Sequence, residues 1–507
     1  MSTHRVRSPG SDVPGALTDD APMTNLATDA ETLAARGTTS WGAPPTRTLA
    51  VPRWVVLVAI VGAEVLVALA SSRSPQVAAA HALLVTLVAG YALLKRDLVL
   101  SACVLAYLPG SEVLWRQARA SIPYQWGPYL AIGISLFCLV LVVTRTSGHG
   151  KLALLYIGLL APGALITIST ASGGEARNVI SFALAGPLAL AVGVALLSQV
   201  RVARWLYRRL LWVMLIGTVG PLAFAVSRIQ DYIVNTGEID FATESNFVTS
   251  GGFGPVQVSS ILGLGVLAAI LLVIAESALV PRLVAGSLGL ALAVQSLLTF
   301  SRGGMFSVAI AAAGLTVALT RDRANRTRVW VVIALVLTVG YFVVIPRVDA
   351  FTEGAFKERF TDTQTSRTDL AANDFAIFRR NVLFGVGPGM TKFQRLSYDV
   401  CELRNDDCDD EASSHTEFTR SLGEHGLLGA GAVVVLAVLA VRVLTRRGVD
   451  RAVGVTFMLW AGAQMLYANL RIVAVPVAFA LAFMRVGEPE PEPEPDATSS
   501  DPGASQD

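Results

Sequence analysis

The sequence is short of charge. Asp, Glu, Lys and Arg make up 15% of its 507 residues, where a soluble globular chain carries roughly 25%. That deficit excludes an ordinary soluble protein, while the net charge of +2 decides little. Period-two alternation is missing, which excludes a spanning barrel. Histidine is scarce, with five in the chain, and cysteine scarcer, with four. Cys401, Cys408 and His415 lack a fourth ligand at a usual spacing, so no metal site is expected. A nucleotide loop is also missing. The glycines at Gly385, Gly387 and Gly389 lack the Lys-Ser/Thr pair and do not follow a βαβ pattern. No internal repeat stands out. Ionisable residues within the apolar blocks are few, Glu64 and His81 being the clear ones. A transporter more often lines its path with buried charge, so this scarcity argues for chemistry at a membrane surface.

What the chain has is apolar length. It is 53% hydrophobic, with a mean hydropathy of +0.57, and the apolar residues fall into blocks long enough to cross a bilayer. Blocks stand near 52–70, 77–94, 97–109, 128–144, 152–171, 178–198, 209–226, 255–275, 283–300, 304–320, 329–346, 426–443, 452–468 and 472–486. The third is short enough for a re-entrant piece, and the last two read equally as one kinked hairpin. The expected class is an all-α polytopic membrane protein with 12–14 spans. Residues 1–50 are Thr, Ala, Ser, Gly, Pro and Asp in no period, and 487–507 repeat Pro-Glu; both are expected to be disordered tails. The first apolar block lacks a convincing small-residue cleavage site, so no signal peptide is expected. The organisation is then a tail (1–50), a bundle (51–346), a large polar loop (347–425), final spans (426–486) and a second tail (487–507).

Basic residues set the expected orientation. With the N-terminus in the cytoplasm, the short inner segments hold clusters such as Arg201, Arg204, Arg208 and Arg209, and Arg442, Arg446, Arg447 and Arg451. The short outer segments hold scattered single residues such as Arg73, Arg177, Arg228 and Arg471. Both termini are then cytoplasmic, and the 347–425 loop faces outward. Outside the cytoplasm a Cys401–Cys408 disulfide is allowed; two free thiols are equally compatible with the sequence. Cys103 and Cys138 fall inside spans and read as packing residues.

Five stretches carry candidate chemistry. Ser301-Arg302-Gly303-Gly304 opens a span. There a Ser cap, free helix N–H groups, a guanidinium fork and two glycines that admit a ligand would make a phosphate clamp. The plainer reading is a snorkelling arginine at a tight turn. Gly251-Gly252-Phe253-Gly254-Pro255 opens another span, as a helix start or as a headgroup surface. Arg367, Arg379 and Arg380 precede the glycine run of the loop. From Ser414 to Glu424, helical spacing puts His415 and Thr419 on one face and Glu417, Arg420 and Glu424 on another. His415 is then a candidate general base with a carboxylate in support; the alternative is an interfacial helix with solvated charges. Tyr107 to Arg119, with Glu112 and Arg116, suits an anionic headgroup or an aromatic belt.

The order of these motifs resembles the O-antigen ligase and O-antigen polymerase superfamily of membrane glycosyltransferases. The elements that carry it are Gly254-Pro255, Ser301-Arg302-Gly303-Gly304, Phe384-Gly-Val-Gly387 and His415…Leu422-Gly423-Glu424-His-Gly426-Leu-Leu-Gly429. Glu112-x-x-x-Arg116 and His415-Thr-Glu417 resemble an exopolysaccharide-polymerising branch. The resemblance implies a GT-C-type helical bundle in the cytoplasmic membrane and a glycan donor linked to undecaprenyl diphosphate. It implies transfer to an acceptor sugar hydroxyl at the outer face, without a metal. His415, Arg302 and Glu424 would carry the chemistry. Arg367, Arg116, Ser301, Gly303, Gly304, Glu417 and Arg420 would bind diphosphate or glycan. Expected partners are the lipid-linked oligosaccharide, the acceptor glycan, membrane lipid, and a flippase and chain-length regulator, with no nucleic acid. A lipid-linked-sugar transporter or an inactive scaffold are the competing readings.

Overall fold

The structure is a computed structural model. It describes residues 40–41 and 53–487, apart from 143–145, 238, 240, 242–244, 322–325, 328–329, 332–333, 335–337, 339, 362–366, 396–413, 415 and 448–450. The two expected tails lie almost wholly outside the described residues, as do Cys401, Cys408 and His415.

The described residues form an all-α polytopic membrane protein, with ten helices long and apolar enough to cross a bilayer. Nine of these lie in the first two thirds of the chain: α1 (Arg53–Arg73), α2 (Pro75–Leu94), α3 (Leu98–Gln117), α5 (Gly148–Thr170), α6 (Gly173–Leu197), α7 (Arg204–Thr236), α8 (Pro255–Ala275), α9 (Leu279–Leu298) and α10 (Arg302–Thr320). The tenth is α15 (Glu417–Leu444). α4 (Trp126–Val142) is apolar but shorter. Short helices α11 (Ile345–Phe351), α12 (Ala355–Thr361), α13 (Arg367–Arg380) and α14 (Thr391–Gln394) fall in the polar loop. α16 (Arg451–Met465), a 3-10 turn (Asn469–Arg471) and α17 (Ala474–Leu481) end the helical part. Only part of the expected 329–346 span is described, ending in a π-helical turn at Gly340–Val344.

Helices satisfy their own backbone, as the bilayer demands. α3, α6, α7 and α8 bury most of their surface inside the bundle, while α1, α2, α5, α9 and α10 present most of theirs outward. The sequence makes the third block short, but α3 is a full 20-residue helix. Its last turns carry Pro109, Ser111, Glu112 and Arg116, which lower the hydropathy, yet all four are buried against other helices. Gly110 of α3 lies against the backbone of Gly217 in α7, so these two axes approach closely. Cys103 and Cys138 are free and buried, as packing residues. A small parallel sheet, β1 (Ser40–Trp41), β2 (Arg201–Ala203) and β3 (Arg485–Gly487), ties the chain before α7 to the chain after α17.

The expected kink near 468–472 is a full break. α16 stops at Met465, Ala468 takes a left-handed φ of 51°, and α17 starts at Ala474. Interrupted backbone is tolerated at membrane depth only where protein or a cavity surrounds it. Ala468, Leu470, Ile472 and Val473 are buried, so this break is enclosed by protein.

Candidate functional site

The break collects side chains from three other helices. Asn469 donates to Ser260 Oγ of α8 at 3.0 Å and to Gln464 Oε1 at 2.6 Å. The Leu470 N–H donates to Glu417 Oε1 of α15 at 3.2 Å. The Val473 N–H donates to Glu112 Oε2 of α3 at 2.6 Å. Arg116 Nη2 donates to the Arg471 carbonyl at 3.3 Å, to the Tyr124 carbonyl at 3.1 Å and to Glu112 Oε1 at 2.5 Å. Backbone groups that a continuous helix would pair internally are here paired by buried carboxylates and a guanidinium.

Beside it runs an ion network on α15. Glu417, Arg420 and Glu424 share one face, as their spacing predicts, and Arg420 reaches both carboxylates, at 2.8 Å and 3.6 Å. The solvated-face alternative fails, because all three side chains are buried. His425 is buried too, with Nε2 4.0 Å from Glu424 and Nδ1 against Gly163 of α5. The kink that places these groups is at Gly426, whose φ of 61° and ψ of −137° lie outside helical space. The loop glycines brace it: the Val386 N–H donates to the Gly423 carbonyl at 3.0 Å and the Gly387 N–H to the Glu424 carbonyl at 2.9 Å. The run that loosely resembles a phosphate loop is a backbone-to-backbone clamp on α15.

Asp374 of α13 is the second hub. Its carboxylate accepts from Arg395 at 2.9 Å, Ser414 at 3.0 Å and Thr419 at 2.9 Å, and it is wholly buried. It fastens the loop to the first turn of α15, whose N-cap Thr416 accepts the Thr419 N–H at 3.1 Å. Sequence reasoning gave no role to Asp374, Arg395 or His425. Asp374 and Arg395 sit in no periodic pattern, and their partners are distant in sequence.

The hairpin before α10 differs in detail from the expected clamp. Ser301 occupies the N-cap position but makes no side-chain cap bond, and its Oγ is buried without a partner. Gly303 and Gly304 do admit a close approach, but the neighbour is protein. A Cβ on Gly303 would lie 2.8 Å from the Tyr467 ring, and one on Gly304 would strike Ser259. Arg302 is half-buried, and its Nη2 donates to the Arg359 carbonyl of α12. In the same loop the Lys357 ammonium lies 2.7 Å from Asp349, so the hydrogen bond lowers the Asp349 pKa and raises that of Lys357. Arg116 does not stand free for a ligand: it pairs with Glu112 and lies 3.9 Å over the Tyr124 ring. Arg367 opens α13. His415 and the Cys401–Cys408 pair fall outside the described residues.

Contacts gather these pieces at one end of the bundle. Gln117 at the end of α3 donates to the Ser250 carbonyl just before α8. Gly304 meets Ser259, and Gly303 meets Tyr467 beside the break. Glu417 meets Leu470. At this end a cavity of about 390 Å³ is lined by Trp115, Arg116, Arg119, Tyr124, Trp126 and Phe253 among others. Among the described residues no cluster of His, Cys, Asp and Glu suits a metal ion.

Residues 287–434 match the family described as O-antigen ligase. The match covers 148 of the 507 residues. The matched stretch runs from within α9 through the Arg302 hairpin and the polar loop to the middle of α15. It therefore includes Arg302, Arg367, Asp374, Glu417, Arg420, Glu424 and His425, and leaves Glu112, Arg116 and the α16–α17 break outside. No curated protein matches the chain. The matched stretch and the helices around it thus meet at one charged, buried centre whose parts are far apart in sequence.

Proposed function

We propose that the chain is a membrane glycosyltransferase that moves a glycan from a lipid diphosphate to an acceptor sugar hydroxyl at the outer face of the cytoplasmic membrane. The observation that carries this reading is the O-antigen ligase match over residues 287–434. The buried arginine–glutamate centre supports it.

The chemistry sets the requirements. The bond between the anomeric carbon and a diphosphate oxygen breaks, and the acceptor oxygen forms the new bond at that carbon. The acceptor proton passes to a base, and the lipid diphosphate leaves with the added negative charge. The leaving group needs cations that act as charge develops. Arg302 is the first candidate, held at the start of α10, with Arg367 as the second. His415 is the candidate base, one residue before the Thr416 cap of α15. Glu424 of α15 supports it. Glu417 and Arg420 position the helix, and Arg116 holds the break. Undecaprenyl diphosphate is the lipid we assign to the donor, and chain extension the outcome we favour over transfer to a different acceptor. No nucleotide or metal takes part in this scheme.

Arg302→Ala and His415→Ala each test it. Each variant is expected to insert in the membrane and to lose at least about 100-fold in glycan transfer, a typical loss for one stabilising or acid–base group. Near-normal turnover in both variants would remove the site assignment.

A further inference from the structure

The backbone on both sides of Arg471 is held by charged side chains. Its carbonyl accepts from Arg116 of α3 at 3.3 Å. The N–H before it, on Leu470, donates to Glu417 of α15 at 3.2 Å. Two residues on, the Val473 N–H donates to Glu112 at 2.6 Å. Three buried charged side chains thus fix the backbone around one arginine.

The side chain itself is uncommitted. It lies over the Phe182 ring of α6, 4.8 Å from the centroid, and its Nε has no hydrogen-bond partner. Glu417 and Glu424 are within electrostatic reach but both pair with Arg420, and among the described residues no carboxylate pairs with Arg471. Phe182 in turn faces Tyr124 at 5.9 Å, and Arg116 lies over the other ring. The two guanidiniums therefore bracket two aromatic rings beside the ion network, and only that of Arg116 is paired. A rigidly placed, unpaired guanidinium is built to receive an oxyanion, because its planar fork matches two phosphate oxygens.

We propose that Arg471 is a diphosphate-binding residue of this site, contributed by the α16–α17 break from outside the matched stretch. This rests on the glycosyltransferase reading for the identity of the ligand. The guanidinium takes oxygens of the donor diphosphate and keeps them as the leaving group gains charge. Arg116, by contrast, keeps the backbone in place and is a positioning residue.

The test uses the full-length chain in phosphatidylcholine nanodiscs, titrated with inorganic pyrophosphate. Nanodiscs that also contain undecaprenyl diphosphate separate a lipid-borne ligand from free pyrophosphate. The wild-type chain is expected to bind pyrophosphate, and undecaprenyl diphosphate to compete for the same site. Arg471→Gln should weaken binding by about tenfold or more, the loss expected for a hydrogen bond to a charged group. Arg471→Lys, which keeps the charge but not the fork, should fall between the two and serves if the Gln variant does not stay monodisperse. Equal affinity in wild type and variants, or no pyrophosphate binding by wild type, overturns the assignment. Glycan transfer is measured separately. If the wild type and Arg471→Gln transfer glycan equally well, the assignment falls and the reaction stands. If the wild type binds pyrophosphate through Arg471 but transfers no glycan, the anion site stands and the reaction falls.

Discussion

At the scale of single residues, buried charge ties together segments that are distant in the chain. Asp374 shows it most directly, with three side-chain donors on a fully buried carboxylate. Removing one partner of a buried charged pair costs about 3–5 kcal/mol. Asp374→Ala is therefore expected to lower stability by that order, read as a lower melting temperature in detergent and easier proteolysis of the polar loop. An unchanged melting temperature would deny that Asp374 fastens the loop. Part of this chemistry was legible in the sequence. Glu417, Arg420 and Glu424 follow helical spacing, and they do share a face. What spacing does not carry is burial: the same three letters describe a solvated face equally well. Asp374 and Arg471 were illegible for another reason. Their settings are made by residues elsewhere in the chain, such as Thr419 for one and Arg116 for the other.

At the scale of elements, the informative features are interruptions. Hydropathy locates apolar helices well, and the α8 bounds agree with the apolar block at 255–275. It mistakes α3 for a short piece because Glu112 and Arg116 count against it, although they are needed at the break. It cannot see the kink in α15, since Gly426 lies within an otherwise helical run. Only glycine adopts the φ of 61° and ψ of −137° found there without strain, and a Cβ would lie 2.5 Å from the Val382 carbonyl. Gly426→Ala is thus expected to cost at least about 1–3 kcal/mol, the range for a residue forced into such a conformation. It should also shift Glu424 and His425 and reduce transfer more than it reduces membrane insertion. Equal turnover at equal expression would show that the kink is not needed. Ser301, Gly303 and Gly304 teach the complementary lesson. Their motif reads as a ligand clamp, but Tyr467 and Ser259 occupy the space that the glycines leave.

At the scale of the whole molecule, the helices bring remote segments to one end of the bundle. The ends of α3, α8, α10 and α15 meet the α16–α17 break there, and the stretch that matches the O-antigen ligase family supplies only some of them. From the basic-residue pattern we propose that this end lies on the outer face. A cysteine placed at Lys357, an exposed loop position, in a chain whose four native cysteines are replaced by serine, should react with a membrane-impermeant maleimide on intact cells. Labelling only after permeabilisation would reverse the topology and, with it, the side of the reaction.

The most direct measurement is of product length. The purified chain, reconstituted with an undecaprenyl-diphosphate-linked oligosaccharide, should convert it into longer lipid-linked chains and release undecaprenyl diphosphate. Substrate that crosses to the opposite leaflet with no new glycosidic bond would contradict the account.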